Sequence, residues 1–157
     1  MKRIILPLLV LLFGLAADAK TTTRNYTLRN SFNTVNVSGN VEVDFTPSST
    51  VNILGSADSR WIDSLKIRLV NNALEISFNP GREARGDASE AKVVLSCPVP
   101  ESVIVQGNSE FDCQGSIDIN SINLVCSGNG SMDFEHTVSS PSINAVSSGN
   151  AKSTSKR

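Results

Sequence analysis

The chain has 157 residues with 14 Lys and Arg against 15 Asp and Glu, a net charge of −1. The basic residues are scattered and form no stripe, which excludes a nucleic-acid partner and adsorption to an anionic membrane surface. Aromatic residues make up only 5%, and the length suits one domain with a real core.

Residues 1–19 read as a signal peptide. Lys2 and Arg3 precede an apolar run from Ile4 to Ala16, and Ala17-Asp18-Ala19 is a small-x-small cleavage site. Cleavage between Ala19 and Lys20 would leave a mature chain with no transmembrane anchor, because the run is too short for a stable span and no second one follows. The expected location is therefore outside the inner membrane: periplasm, outer-membrane surface or extracellular space. Three cysteines, Cys97, Cys113 and Cys126, leave at least one thiol over if two of them pair. Their spacing matches no zinc motif, so they read as packed apolar residues.

Residues 20–30 are an N-terminal segment without a clear pattern. From there period-two alternation dominates, the signature of half-buried strands. Phe32-x-x-Val35-x-Val37 leads through Gly39-Asn40 into Val41-x-Val43-x-Phe45. Val51-x-Ile53 is a further strand. Leu65-x-Ile67-x-Leu69 and Leu74-x-Ile76-x-Phe78 flank Asn71-Asn72 and read as a hairpin. Residues 79–90 form a polar loop, and Val93 to Leu95 begins a strand that Pro98 and Pro100 stop.

From residue 101 a repeat takes over. Gly-Asn pairs begin at Gly107, Gly128 and Gly149, 21 residues apart. Folding the sequence on that period places Val103 with Leu124, Val105 with Cys126, Phe111 with Met132, Cys113 with Phe134, and Ile117 with Val138. The expected core is Val103, Val105, Phe111, Cys113, Ile117, Ile119, Leu124, Cys126, Met132 and Phe134. Short strands split by Gly-Asn corners at this spacing predict an all-β fold, a β-helix or solenoid-like stack of coils of about 21 residues, with less regular strands and a hairpin in the N-terminal half. Gly supplies positive φ at each corner, and Asn amides can bond along the stack. The front motif, residues 35–45, matches residues 103–113 at an offset of 68, which equals three periods plus five residues; the five extra residues are expected in the polar loop.

These residues together, Phe32-x-x-Val35-x-Val37-Ser38-Gly39-Asn40, Leu65-x-Ile67-x-Leu69-Val70-Asn71-Asn72-Ala73-Leu74-x-Ile76 and the repeated Gly-Asn coils, resemble the head GIN domain family, whose members are labelled auto-transporter adhesins. The resemblance covers residues 31–157. It implies an exported β-helical protein of Bacteroidetes-type bacteria with no established enzyme activity. The chain departs from the family pattern at its end: residues 153–157 are polar where further coils usually follow, as in a polar cap or a truncated relative. A C-terminal translocator barrel would need many more strands.

Arg85-Gly86-Asp87 in the polar loop matches a tripeptide of adhesion ligands, or is a solvated turn. Asp112 and Asp133 fall one coil apart, with Asp44 matching them at the front. They are candidates for a calcium ladder, for paired glycosidase carboxylates, or for a solvated polar face, which the incomplete repetition of the surrounding ligand set favours. No motif calls for a cofactor. The leading expectation is an adhesin-like module for a glycan or protein. A homo-oligomer joined through an open β edge or end comes second, and a polysaccharide-active enzyme third.

Overall fold

A computed structural model describes residues 20–117, 121–136 and 142–155. Ala19, Ile119 and Val138 lie outside them. The described residues form two mixed sheets and no long helix. In chain order the strands are β1 (Thr21–Tyr26), β2 (Thr34–Gly39), β3 (Val41–Pro47), β4 (Asn52–Asp58), β5 (Leu65–Val70), β6 (Ala73–Phe78) and β7 (Ala91–Cys97). They continue as β8 (Ser102–Val105), β9 (Glu110–Ile117), β10 (Ser121–Cys126), β11 (Ser131–His136), β12 (Ser142–Ser147) and β13 (Asn150–Ser155).

One sheet has seven strands in the order β1-β4-β7-β3-β9-β11-β13, the other six in the order β12-β10-β8-β2-β6-β5. A simple rule generates both. β2 runs into β3, β6 into β7, β8 into β9, β10 into β11 and β12 into β13. Each time the first strand joins the six-stranded sheet and the second the seven-stranded one. Equivalent strands of neighbouring layers pair in parallel, as in Leu124 with Val103 and Met132 with Phe111, so the 21-residue period of the sequence is a hydrogen-bonded register.

The 68-residue offset has a different origin from the one expected. β2 pairs directly with β8, Val35 beside Val103, and β3 pairs with β9, Asp44 beside Asp112. The intervening residues do not fill three coils between them. They make one parallel layer, β6 and β7, on the far side of β2 and β3. Antiparallel strands continue the sheets outward from that layer: β5 on β6, β4 on β7, and β1 on β4. β1 was not legible in residues 20–30, because Thr21-Thr-Thr-Arg-Asn-Tyr26 lacks an apolar alternation. The hairpin of β5 and β6 turns at Asn71 and Asn72 with φ of 48° and 65°, the conformation of a two-residue hairpin turn.

The core lies between the sheets because each strand turns alternate residues inward. Val35, Val37, Leu74, Ile76, Val103, Val105 and Leu124 from one sheet meet Val43, Phe45, Val93, Leu95, Phe111, Met132 and Phe134 from the other in a single cluster. Phe45, Phe111 and Phe134 form a stacked column, with ring centroids 5.6 and 5.5 Å apart. Ile117 and Cys126 are buried as expected, but Cys113 is only half-buried. The cause is a bulge: Asp133 pairs with Asp112 while Glu135 pairs with Ser116, so three residues of β9 face Phe134 alone. Gly115, at φ +88°, lets the strand make that excursion. Phe111, just before the bulge, stands between Phe45 and Phe134, and Ile117 pairs with His136. The three cysteines are all thiols.

Candidate functional site

The outward residues of the seven-stranded sheet form rows across its strands. One row runs Ser56, Lys92, Glu42, Glu110, Ser131, and the next runs Leu54, Val94, Asp44, Asp112, Asp133. Asp112 and Asp133, singled out by the repeat, are thus direct neighbours, with Asp44 on the other side of Asp112. Two lysines adjoin them: Lys152 on β13 pairs in register with Asp133, and Lys92 lies among the carboxylates of the inner strands. Lys92 Nζ lies 2.8 Å from Glu42 Oε1 and 3.0 Å from Asp44 Oδ2, and these bonds hold its pKa above the ordinary lysine range. Gln114 Nε2 donates to Asp44 Oδ1 at 3.3 Å. Partial burial, and then the charges of Glu110, Asp133, Asp44 and Glu42, push the Asp112 carboxyl up.

A parallel ladder sets one aspartate per strand, roughly 4.8 Å apart. A calcium ion needs oxygens converging from several directions, and among the described residues no three His, Cys, Asp or Glu side chains are grouped to hold a metal. The described face carries an acidic strip along the outside of the sheet.

Arg85, Gly86 and Asp87 are exposed, but they do not form a free loop tip. Gly86–Ser89 is a 3-10 turn, with Gly86 at φ +59° and the Ser89 hydroxyl donating to the Gly86 carbonyl at 2.7 Å. Ala88 is buried beneath it, and Asn40 Nδ2 donates to the Ser89 carbonyl at 2.7 Å. The turn sets Asp87 at the rim of a depression of about 410 Å³ lined also by Glu42, Asp58, Glu90 and Lys92. Burial, followed by Glu42, Glu110 and Asp87, pushes the Glu90 carboxyl up. Asp58, at the same depression, is nearly buried. Its Oδ1 accepts from the Arg60 backbone N–H and Nε, and its Oδ2 from Arg60 Nη2, each at 2.9 Å, which lowers its pKa to about 2.

The outward face of the six-stranded sheet differs in kind. A depression of about 330 Å³ crosses β6, β2 and β8, lined by Asn36, Ser38, Arg68, Glu75, Ser77 and Gln106 around Val37 and Ile104. Its one ion pair is internal, Arg68 Nε donating to Glu75 Oε2 at 3.0 Å. Asn36 stands between Glu75 and Ile104 in register, and its Oδ1 is buried without a hydrogen-bond partner. Such an orphan costs about 1–3 kcal/mol. Neither Asp112 nor Asp133 lines either depression. Sequence reasoning missed this second face because it followed the apolar half of each strand. The signal was the other half: Asn36 and Ser38 between valines, Glu75 and Ser77 between Leu74, Ile76 and Phe78.

A family model described as "Putative auto-transporter adhesin, head GIN domain" matches residues 31–156. A solved structure of a putative adhesin from Bacteroides fragilis superposes with a TM-score of 0.66 at 15% identity, covering 89% of this chain and 61% of that one. A putative adhesin from Parabacteroides distasonis gives 0.69 at 17% identity, covering 87% and 57%. A putative lipid binding protein from the same species gives 0.53 at 15%, covering 85% and 59%. The chain thus spans about three-fifths of the length of these structures, and at such identities they share its fold. No curated protein is similar to it.

Proposed function

Because the chain belongs to the head GIN domain family, we propose that it is an exported, non-enzymatic, adhesin-like binding module of the bacterial envelope, built as a β-helix-like stack and presenting its sheet faces to a glycan or protein. One observation carries the reading: outward side chains are aligned in rows by in-register parallel pairing, an acidic row on one sheet and a neutral, indented one on the other. A row held by paired strands on both sides is preorganised, so ligand ordering costs little protein entropy. The signal-like leader at residues 1–19 supports export. No helix among the described residues is long and apolar enough to cross a membrane.

Protease shaving of intact cells expressing the full chain, with a periplasmic protein as control, tests the surface form of this reading. Cleavage from intact cells supports it. Protection until the outer membrane is broken removes surface display and leaves a periplasmic role. A second reading, self-assembly through an open β edge, draws on the edge strands β5 and β12, each paired on one side only among the described residues. Light scattering over a wide concentration range decides it, a constant monomer mass removing it.

A further inference from the structure

We propose that the depression across β6, β2 and β8 is a binding site for an uncharged saccharide unit. This rests on the binding-module reading above and names its ligand class and place. At about 330 Å³ it lies at the small end of ligand pockets, which run from about 300 to 1,000 Å³. That size suits one or two sugar rings.

The charge of the lining selects against ions. Arg68 and Glu75 are bonded to each other at 3.0 Å, and the remaining lining residues are neutral. The pair leaves the lining without net charge, so neither an anion nor a cation meets an unneutralised counter-charge there. What remains open are groups that both donate and accept: the amides of Asn36 and Gln106 and the hydroxyls of Ser38 and Ser77. A sugar hydroxyl has the same double capacity. The Asn36 amide lines the depression, and its Oδ1, turned away from solvent, has no hydrogen-bond partner. Ile104 offers an apolar patch to the C–H face of a ring. The spacing of these groups is fixed, because Asn36 is held in register by Glu75 on β6 and Ile104 on β8. Backbone pairing on both sides of β2 keeps the site from closing or opening with the ligand state.

The test is ligand-observed NMR and calorimetry on the full chain with a panel of neutral methyl glycosides and disaccharides, beside sialic acid and a sulfated disaccharide. At least one neutral sugar should bind, with an affinity insensitive to salt. Gln106→Ala, at an exposed position, should lose about tenfold in affinity, the worth of one hydrogen bond. Ser77→Leu, which fills the depression, should abolish binding while the circular dichroism spectrum stays that of the parent. Binding of charged sugars alone, neutral-sugar binding that survives both variants, or no binding by any neutral sugar each overturns the site. Adherence of the parent to envelope or host surfaces without any neutral-sugar binding overturns the site while leaving the binding module standing. Loss of both adherence and sugar binding in the parent removes the two together.

Discussion

Gly107 lies directly against Gly39 of the neighbouring layer: a Cβ at residue 107 would stand 2.9 Å from the Gly39 carbonyl oxygen. Asn108 N–H donates to that same oxygen at 2.9 Å, so the corner is part of the ladder. Gly107 also has φ +75°. Gly107→Ala should therefore destabilise through both strain and crowding. Strain alone is of order 1–3 kcal/mol. Gly86→Ala provides the control, since Gly86 has φ +59° with nothing within 4 Å of its added Cβ. Urea denaturation should rank Gly107→Ala as the more damaging. Equal losses would mean that the corner stack has room.

The phenylalanine column gives the second prediction. Phe111 is fully buried between Phe45 and Phe134 and belongs to the layer that joins the front motif to the repeats. Phe111→Ala should cost about 3–5 kcal/mol, and Phe111→Leu clearly less. A loss under about 1 kcal/mol in a two-state urea transition would show that the column is dispensable.

What the sequence made legible follows from which interactions repeat. Apolar alternation is imposed by burial on one side of every strand, so the strands, the Asn71-Asn72 hairpin and the Gly-Asn corners could be read directly. The amide ladder expected at the corners exists between Asn129 and Asn108, at 3.2 Å. It does not extend to Asn40, whose amide is claimed by Ser89 on the opposite side. The placement of β6 and β7 outside β2 was hidden because periodicity reports register, not the order in which layers are laid down. The bulge at Cys113 was hidden because the sequence period does not change where the strand does. The site on the six-stranded sheet was hidden because Asn36, Glu75 and Gln106 are brought together by pairing between strands distant in sequence.

Asp58 ties stability to pH. Its folded pKa of about 2 lies well below the ordinary aspartate range, because Arg60 bonds to the carboxylate. A depressed carboxyl pKa contributes stability that is present above the unfolded pKa and is lost as pH falls toward the folded one. Asp58→Asn should lower the Tm at pH 7, and the deficit should shrink between about pH 4 and pH 2. A deficit constant over that window would assign the effect to packing.

The thiols should differ in reactivity. Burial pushes Cys97 up to about 12 and raises Cys126 as well, whereas Cys113 is half-buried at the bulge. Because the thiolate is the reacting species, alkylation of the native protein at pH 8 should modify Cys113 first, with Cys97 protected until unfolding. Peptide mapping that finds Cys97 labelled early would contradict its burial.

Asp112 should behave in the opposite sense to Asp58. Burial and the neighbouring Glu110, Asp133, Asp44 and Glu42 raise its pKa, so ionising it works against the folded state. With a raised carboxyl pKa, the favourable contribution is present below the unfolded value and is lost as pH rises through the folded one. Asp112→Asn keeps the shape and removes the charge. It should stabilise the protein at pH 7, because like charges directly opposite each other on paired strands are destabilising, by an amount on the order of one cross-strand pair, about 0.2–1 kcal/mol. The gain should diminish with added salt, because this face is open to solvent, and should vanish below about pH 4, where the parent carboxyl is itself protonated. Denaturant titrations of parent and variant at pH 7 and pH 3 measure this directly. A variant less stable than its parent at pH 7 would mean that the Asp112 carboxylate is engaged by a bound cation or partner, and the acidic strip would then be a ligand surface in its own right.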